Sequence, residues 1–262
     1  MRVFDFNSAI VRSPGKSVVD GLRAHGGPSP DFARVKAEHA MYVKTLRGCG
    51  LEVTVLEAQE GFPDSIFVED PALAFSEAAV LLRPGAPSRL QEAELLAPVL
   101  KARFPHLLRL TDGHADGGDI LVTQDAVFIG LSARTDAQGA AALQSLLDSI
   151  GRPSRVVRTP ATTLHLKSDC SLVDEETVLA TEELAHSGLF EGFRTLTVPP
   201  DERAAANAVR VNDVILISAG FPRTADLLAA HGVEVVALPV SEIARIDAGL
   251  SCMSLRWREL RA

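Results

Sequence analysis

Apolar residues along the chain follow two periods in turn. Pairs of short apolar runs, each pair broken by a polar turn, are typical of β-hairpins, and they lie at 119–130, 171–180 and 209–218. Single β-like runs lie at 51–58, 106–111, 155–159, 194–198 and 233–240. Between these runs, apolar residues recur at the spacing of one helix face, which predicts five α-helices.

Three of the predicted helices have their ends marked by sequence. One helix is predicted over 31–47, before Gly48. Ser88 with Gln91, and Thr135 with Gln138, have the spacing of a capping box, which predicts that two more helices begin there. The last two helices are predicted over 182–189 and 224–231.

The order of these elements predicts one repeated unit. Two hairpin strands, a helix and a further strand occur five times, at a period typical of repeat architectures. No Ser/Gly linker divides the chain, so residues 1–262 are predicted to form a single α/β domain. A dinucleotide-binding fold is the competing interpretation, but the sequence contains neither G-x-G-x-x-G nor a P-loop motif.

Composition narrows the function classes. The chain has 26 Lys and Arg against 34 Asp and Glu, a net charge of −8 with no basic cluster, which argues against a nucleic-acid partner. No apolar run approaches the roughly 20 residues of a membrane span, and the first residues do not resemble a signal peptide. Three cysteines without a CxxC motif suggest no disulfide framework. We therefore expect a soluble cytoplasmic protein, and homodimer formation is left open.

Candidate catalytic residues lie at the predicted strand ends. Cys252 is surrounded by small residues, His165 lies between two leucines, and Asp116 precedes Gly117 and Gly118. Each residue taken alone fits a structural role better than a catalytic one. Together they supply a nucleophile, an acid/base and an orienting carboxylate, which are the groups needed for covalent thiol catalysis.

Two further sets of charges indicate what is bound. Asp64, Glu69 and Asp70 lie within seven residues and could pair with a planar cation through charge-assisted hydrogen bonds. Arg89 and Arg134 occupy equivalent positions before two predicted helices, where guanidinium groups and helix N-termini suit a carboxylate. The two sets predict a ligand with a cationic planar head and a carboxylate tail.

Five segments in chain order resemble one known family. They are FPDSIFVEDPAL, GGDIL, SART, LHLK and IDAGLSCMSLRW. This set resembles the dimethylarginine dimethylaminohydrolases, which belong with arginine deiminase to the guanidino-group-modifying superfamily. The resemblance covers essentially the whole chain. It implies a five-bladed α/β propeller (pentein-like) with pseudo-fivefold ββαβ repeats, and hydrolysis of asymmetric dimethylarginine or monomethylarginine to citrulline and a methylamine, without a metal or organic cofactor.

The resemblance also implies a catalytic role for each matching residue. Cys252 matches the nucleophile, His165 the acid/base, and Asp116 the carboxylate that orients the histidine.

The same resemblance implies substrate contacts at seven positions. Asp70 matches the carboxylate that binds the guanidinium group, with Glu69 and Asp64 beside it, and Arg89 and Arg134 match the clamp on the substrate carboxylate. Two further positions are Leu22, which matches a lid residue, and Ile246, which matches a residue whose backbone carbonyl faces the substrate.

Three alternatives stay open on sequence alone. A superfamily relative such as arginine deiminase or succinylarginine dihydrolase would use the same groups on another guanidino substrate. A metal-dependent amidohydrolase would use His114, Asp116, Asp119 and His165 as ligands. A non-catalytic binding module on the same fold is disfavoured by the presence of Cys252 together with His165 and Asp116.

Overall fold

The computed structural model describes residues 2–23 and 26–260. Within these ranges, strands and α-helices alternate as the apolar periods predict. The helices are α1 (Phe32–Gly48), α2 (Glu92–Arg103), α3 (Ala137–Ser149), α4 (Glu182–Ala185) and α5 (Pro222–Ala230). The strands are β1 (Ser8–Arg12), β2 (Glu52–Leu56), β3 (Ala72–Ala74), β4 (Ala79–Leu81), β5 (Leu107–Arg109), β6 (Ile120–Val122), β7 (Val127–Leu131), β8 (Ser154–Arg158), β9 (Cys170–Leu172), β10 (Thr177–Ala180), β11 (Arg194–Thr197), β12 (Val209–Val211), β13 (Val214–Ser218), β14 (Glu234–Leu238) and β15 (Leu255–Trp257).

The strands form five three-stranded sheets with one shared topology. The sheet orders are β15-β1-β2, β3-β4-β5, β6-β7-β8, β9-β10-β11 and β12-β13-β14. In every sheet the first pair is antiparallel and the second pair is parallel, and the α-helix lies in the connection between the two parallel strands. A parallel pair needs such a crossover connection. The predicted unit of two hairpin strands, a helix and a further strand therefore occurs five times.

The first sheet joins the two ends of the chain. Strand β15 pairs antiparallel with β1, with Trp257 opposite Ser8. Trp257 is buried, and its ring centroid lies 5.0 Å from that of Phe104 at the end of α2. The C-terminal strand thus supplies the hairpin partner that the N-terminal unit lacks, and it fixes the preceding residues 246–254 against the other units.

The predicted helical stripes are the buried faces of the helices. Leu96 and Leu100 of α2 pack in a cluster with residues of β4, and Leu143 and Leu147 of α3 pack with Ile129 of β7. All four leucines are at most 1% exposed. Burying each of them contributes roughly 1.5–3 kcal/mol, so these faces hold the helices against their sheets.

The predicted capping boxes are wrong at both helices. Ser88 lies in a 3₁₀ turn that begins at Pro87, and α2 starts at Glu92 without a side-chain cap. The cap of α3 is Asp136, whose carboxylate accepts a hydrogen bond from Gly139 N at 2.7 Å. Thr135 does not cap α3, because its hydroxyl donates to the buried carboxylate of Asp119 at 2.6 Å.

Two predicted helices also differ in length. Helix α4 is only four residues long instead of reaching residue 189, because Ser187 Oγ donates to Leu184 O and Gly188 has a positive φ of 76°. Helix α5 begins at Pro222, two residues before the predicted start, because proline fits the first turn of a helix, where a backbone N–H has no partner to donate to.

Candidate active site

One pocket lies at the carboxyl ends of the parallel strands. Its walls come from loops that follow the middle strand of a sheet or connect one sheet to the next. Because parallel strands end at the same edge, these loops meet although they are far apart in sequence. The lining residues are Leu22, Asp64, Phe67, Asp70, Arg89, Arg134, Leu164, His165, Ile246, Asp247, Ala248 and Cys252. The cavity has a volume of about 30 Å³, room for a few water molecules.

Cys252 lies in a 3₁₀ turn over Ser251–Met253 between the last two strands. The turn is held from both sides: Asn207 Oδ1 accepts from Ser251 N at 3.1 Å, and Glu69 N donates to Cys252 O at 3.1 Å. Burial, followed by the charges of Asp70 and Glu69, raises the pKa of the thiol to about 12. The sulfur is therefore a thiol at neutral pH.

His165 lines the same pocket and is backed by Asp116. Nε2 of His165 lies 3.0 Å from Asp116 Oδ2, and Asp116 Oδ1 accepts from Gly85 N at 2.6 Å. Burial lowers the pKa of His165, but the charge of Asp70, the hydrogen bond to Asp116 and the charge of Asp119 raise it to about 9. The imidazole is thus protonated at neutral pH, and Nε2–H donates to a carboxylate that is completely buried.

Asp70 and Asp64 place two buried carboxylates in the pocket wall. Asp70 Oδ1 accepts from Gly118 N at 3.0 Å, and although burial acts to raise its pKa, Arg89 and His165 lower the pKa below the usual value. Asp64 Oδ1 accepts from Leu22 N at 3.0 Å, and burial raises its pKa against the opposing charge of Arg89. The lowered pKa favours the ionised form of Asp70 at neutral pH.

Glu69 is not brought to the pocket wall. Its carboxylate lies 2.6 Å from Lys167 Nζ and 3.2 Å from Arg256 Nη2 and borders a separate cavity of about 390 Å³. Two cations draw this side chain away from its neighbour Asp70. Only its backbone N–H, which donates to Cys252 O, supports the site directly.

Arg89 contacts two carboxylates at once. Its Nη1 lies 2.5 Å from Asp70 Oδ2, and Glu92 Oε2 accepts from Nη2 at 2.7 Å and from Nε at 3.0 Å. Nη2 also donates to the backbone carbonyls of Asp64 and Phe67. Arg89 is 4% exposed, and the carboxylates of Asp70 and Glu92 neutralise its buried charge.

Arg134 is a cation of a different kind. It is partly exposed, and its guanidinium group forms no ion pair within residues 2–23 and 26–260. Its backbone N–H donates to Ser132 Oγ at 2.9 Å, which fixes the loop before α3. The charge of Arg134 is therefore available to an anionic group in the pocket.

Leu22 and Ile246 line the pocket as the resemblance implies. Leu22 is 37% exposed and donates its backbone N–H to Asp64. Ile246 is buried at the end of a 3₁₀ turn, and the next residue, Asp247, has a positive φ of 53°.

The alternative metal set is not assembled. His114 is exposed and contacts Asp136 at 3.1 Å, and the carboxylate of Asp119 accepts from Ser132, Thr135 and Leu166. A different trio lies within 4.8 Å of one another, namely Asp70, Asp116 and His165. His165 Nε2 lies 3.0 Å from Asp116 and Asp70 is already paired with Arg89, so a metal ion there would have to displace both a proton and a guanidinium group.

Sequence reasoning missed five residues that the structure adds to the site. Phe67, Leu164, Asp247 and Ala248 line the pocket, and Glu92 holds Arg89 from behind. The first four lie next to predicted residues and could have been found by adjacency. The signal for Glu92 is its position three residues after Arg89, at a spacing that places two side chains on one helical face.

Comparisons with known proteins agree with this site. A model of the arginine deiminase family matches residues 59–220. The chain is 37% identical over 254 residues to the N(G),N(G)-dimethylarginine dimethylaminohydrolase of Pseudomonas aeruginosa, covering 96% of this chain and all of that one. The chain belongs to the dimethylarginine dimethylaminohydrolase family. A member of the family from Streptomyces coelicolor is 32% identical, covering 96% of this chain and 97% of the relative.

Solved structures of the dimethylarginine dimethylaminohydrolases share the whole fold. A Cys→Ser variant of the Pseudomonas aeruginosa enzyme complexed with citrulline has a TM-score of 0.93, at 37% identity and with coverage of 97% of this chain and 100% of that chain. The N-terminal domain of a cyanobacterial arginine dihydrolase has a TM-score of 0.86 at 17% identity, covering 96% and 98%. The predicted five-bladed α/β propeller is thereby confirmed.

Proposed function

We propose that the protein hydrolyses asymmetric dimethylarginine or monomethylarginine to citrulline and dimethylamine or methylamine. The observation that carries this proposal is that one pocket contains the Cys252 thiol, the His165 imidazolium, the Asp70 carboxylate and the Arg134 guanidinium. The family relatives are hydrolases of this type, and one is solved in complex with citrulline. The pocket therefore combines a nucleophile with charges that suit both ends of a methylated arginine.

Substrate binding places two opposite charges in the pocket. The substrate guanidinium group pairs with Asp70, with Asp64 beside it, and the α-carboxylate pairs with Arg134 and Arg89. Leu22 and Ile246 close the pocket around the aliphatic chain, and the Ile246 carbonyl accepts a hydrogen bond from the substrate. The substrate cation next to Cys252 lowers the pKa of the thiol, which loses its proton to solvent.

The first half of the reaction forms a covalent intermediate. The Cys252 thiolate attacks the guanidinium carbon, and the new C–S bond gives a tetrahedral adduct. The C–N bond to the methylated nitrogen then breaks, and the proton of His165 moves to the departing amine. The products of this half are a neutral amine, a neutral His165 and a thiouronium cation on Cys252.

The second half releases citrulline. Neutral His165 takes a proton from a water molecule, whose oxygen attacks the thiouronium carbon. The C–S bond breaks, Cys252 leaves as the thiolate, and the oxygen-bearing product loses a proton to become citrulline. Asp116 keeps the imidazole ring oriented through both proton transfers. The residues of the pocket and water supply and accept every proton in both halves of the reaction.

A substrate panel tests this function against the arginine deiminase alternative. Asymmetric dimethylarginine, monomethylarginine and arginine are incubated separately with the protein, and citrulline and amine are quantified together. We expect equal amounts of citrulline and dimethylamine from the first substrate, with a larger kcat/KM than for arginine. Turnover of arginine alone would favour the deiminase, and no citrulline from any substrate would refute both.

The site of action and assembly stay predictions from the sequence. No helix within the described parts of the chain is both long and apolar enough to cross a bilayer. We propose a cytoplasmic enzyme whose partner is the small guanidino amino acid, with residues 1–262 acting as one catalytic domain. Light scattering on the purified protein distinguishes a homodimer, at twice 27.9 kDa, from a monomer.

A further inference from the structure

We propose that Glu92 is a positioning residue for Arg89: its carboxylate keeps Arg89 fixed and neutralised while Asp70 exchanges Arg89 for the guanidinium group of the substrate. This inference rests on the proposed function. Glu92 does not line the pocket, so it acts only through Arg89. Its role is separate from those of the residues that contact the substrate.

The geometry divides one guanidinium group between two carboxylates. Glu92, the first residue of α2, accepts from Nε and Nη2 of Arg89 at 3.0 and 2.7 Å. Asp70 takes the remaining edge through Nη1 at 2.5 Å. All three side chains are at most 5% exposed, so water cannot replace either carboxylate as a partner.

This arrangement creates a competition at Asp70. Asp70 Oδ2 accepts a hydrogen bond from Arg89 Nη1. The guanidinium groups of the substrate and of Arg89 therefore compete for the same buried carboxylate. If Asp70 were the only carboxylate next to Arg89, the substrate would have to leave a buried cation without a partner. Glu92 removes that penalty, because Arg89 keeps two hydrogen bonds to it after Asp70 is taken.

The exchange also frees a donor where the mechanism needs one. Once Asp70 binds the substrate, Nη1 of Arg89 is released at the pocket wall, while Nε and Nη2 stay on Glu92. The freed Nη1 keeps its N–H groups and can donate to one oxygen of a carboxylate ligand. The Arg89 contact with the substrate carboxylate thus follows from the Asp70 exchange.

The contact between Glu92 and Arg89 is sensitive to pH because of the charges around Glu92. Burial raises the pKa of Glu92 to about 7 against the lowering effect of Arg89, and the charges of Asp64 and Asp70 add to the increase. Arg12 of β1 is the other charged group facing it. As the pH falls through about 7, Glu92 becomes neutral and its hold on Arg89 weakens, so KM is expected to increase.

The experiment compares Glu92→Gln with Glu94→Gln. Both substitutions remove one carboxylate from the first turn of α2, but Glu94 is exposed and pairs with Arg109 instead. We expect Glu92→Gln to raise KM for asymmetric dimethylarginine roughly 10-fold or more, with kcat within about threefold of the parent and no rise in KM between pH 8 and 6. Glu94→Gln should keep parental values.

Any one of three outcomes overturns the proposal. The first is a parental KM in a folded Glu92→Gln variant. The second is a roughly 10-fold loss in kcat without a change in KM, which would indicate a structural role only. If Glu92→Gln fails to fold, the pH dependence of the parent protein provides the test. Its KM must rise as the pH falls from 8 to 6, and the third overturning outcome is a constant KM over this range. A parent that releases no citrulline refutes the proposed function first, which separates the two failures.

Discussion

In the buried wall of the pocket, His165 Nε2 lies 3.0 Å from Asp116 Oδ2. The carboxylate is completely buried, and its other oxygen is taken by the N–H of Gly85. Its charge and that of Asp70 overcome the burial of the imidazole, so the folded protein favours the imidazolium. The general acid of the proposed first step is therefore already charged before substrate arrives.

This pair makes stability depend on pH. The pKa of His165 is raised from 6.5 in the unfolded chain to about 9, so its contribution is fully present below pH 6.5 and is lost as the pH rises through about 9. The loss amounts to at most about 3 kcal/mol in the free energy of unfolding. Denaturant unfolding of the parent and of His165→Gln at pH 6.5 and 9 measures it. If the difference between the two proteins is the same at both pH values, this prediction is wrong.

Replacing the nucleophile should abolish turnover without abolishing binding. In Cys252→Ser the hydroxyl is far less ionised than a thiol near a cation, so citrulline release should fall by roughly 1,000-fold or more. Citrulline binding, measured by calorimetry, should persist because the charged groups of the pocket are unchanged. The matched control is Cys49→Ser at the end of α1, which should stay within about twofold of the parent. Comparable loss in both variants would contradict the role of Cys252.

The strand and helix pattern was predictable because burial repeats along the sequence. The hairpins, single strands and helix faces each bury residues at a local period, so five equal units could be counted before any contact was known. The exact helix starts were not predictable in this way. Ser88 and Thr135 have the right spacing for capping, but Pro87 opens a 3₁₀ turn and Asp119 takes the threonine hydroxyl. Both effects depend on neighbours outside the local window.

The sequence predicted which residues form the site, but it did not predict which of their side chains contact each other. Most of the residues carrying the chemistry lie in distinctive segments, and eight of the twelve residues that line the pocket were among those expected from the sequence. The contact of Arg89 with Asp70 spans 19 residues, and Glu92 lies behind it. Sequence spacing cannot tell which way a long guanidinium side chain turns, so Arg89 was predicted as a free clamp and is found neutralised.

Arg89 and Arg134 should therefore behave differently when each is replaced by Ala. Arg134→Ala removes a partly exposed cation, so KM for asymmetric dimethylarginine should rise roughly 10-fold or more while stability stays near the parent. Arg89→Ala leaves the carboxylates of Asp70 and Glu92 buried without their partner and should cost about 3–5 kcal/mol of stability. Urea unfolding and steady-state kinetics measure both effects. Equal destabilisation of the two variants would show that burial does not distinguish them.

The decarboxylated analogue of the substrate sharpens the Arg134 prediction. Without an α-carboxylate the analogue gains nothing from Arg134, so Arg134→Ala should change its KM by less than about twofold. The comparison separates a carboxylate contact from a general loss of pocket shape. A similar rise in KM for both substrates would exclude the carboxylate contact.

Gly118 provides a test of how closely the imidazole must be placed. A Cβ at this position would lie 2.8 Å from Cγ and Nδ1 of His165 and 3.1 Å from Asp70 Oδ1. Because ordinary contacts of a Cβ lie at 3.4–4 Å, Gly118→Ala should displace the ring by roughly half an ångström or more, and a misplacement of about 1 Å can lower the rate roughly 100-fold. The control is Gly61→Ala, where the added methyl group meets no atom within 4 Å of the described structure. Both variants should unfold at temperatures within a few degrees of each other, and kcat should fall only in the first. Unchanged kcat in a folded Gly118→Ala variant would mean that the ring tolerates the shift and that the position of His165 is not limiting for the reaction.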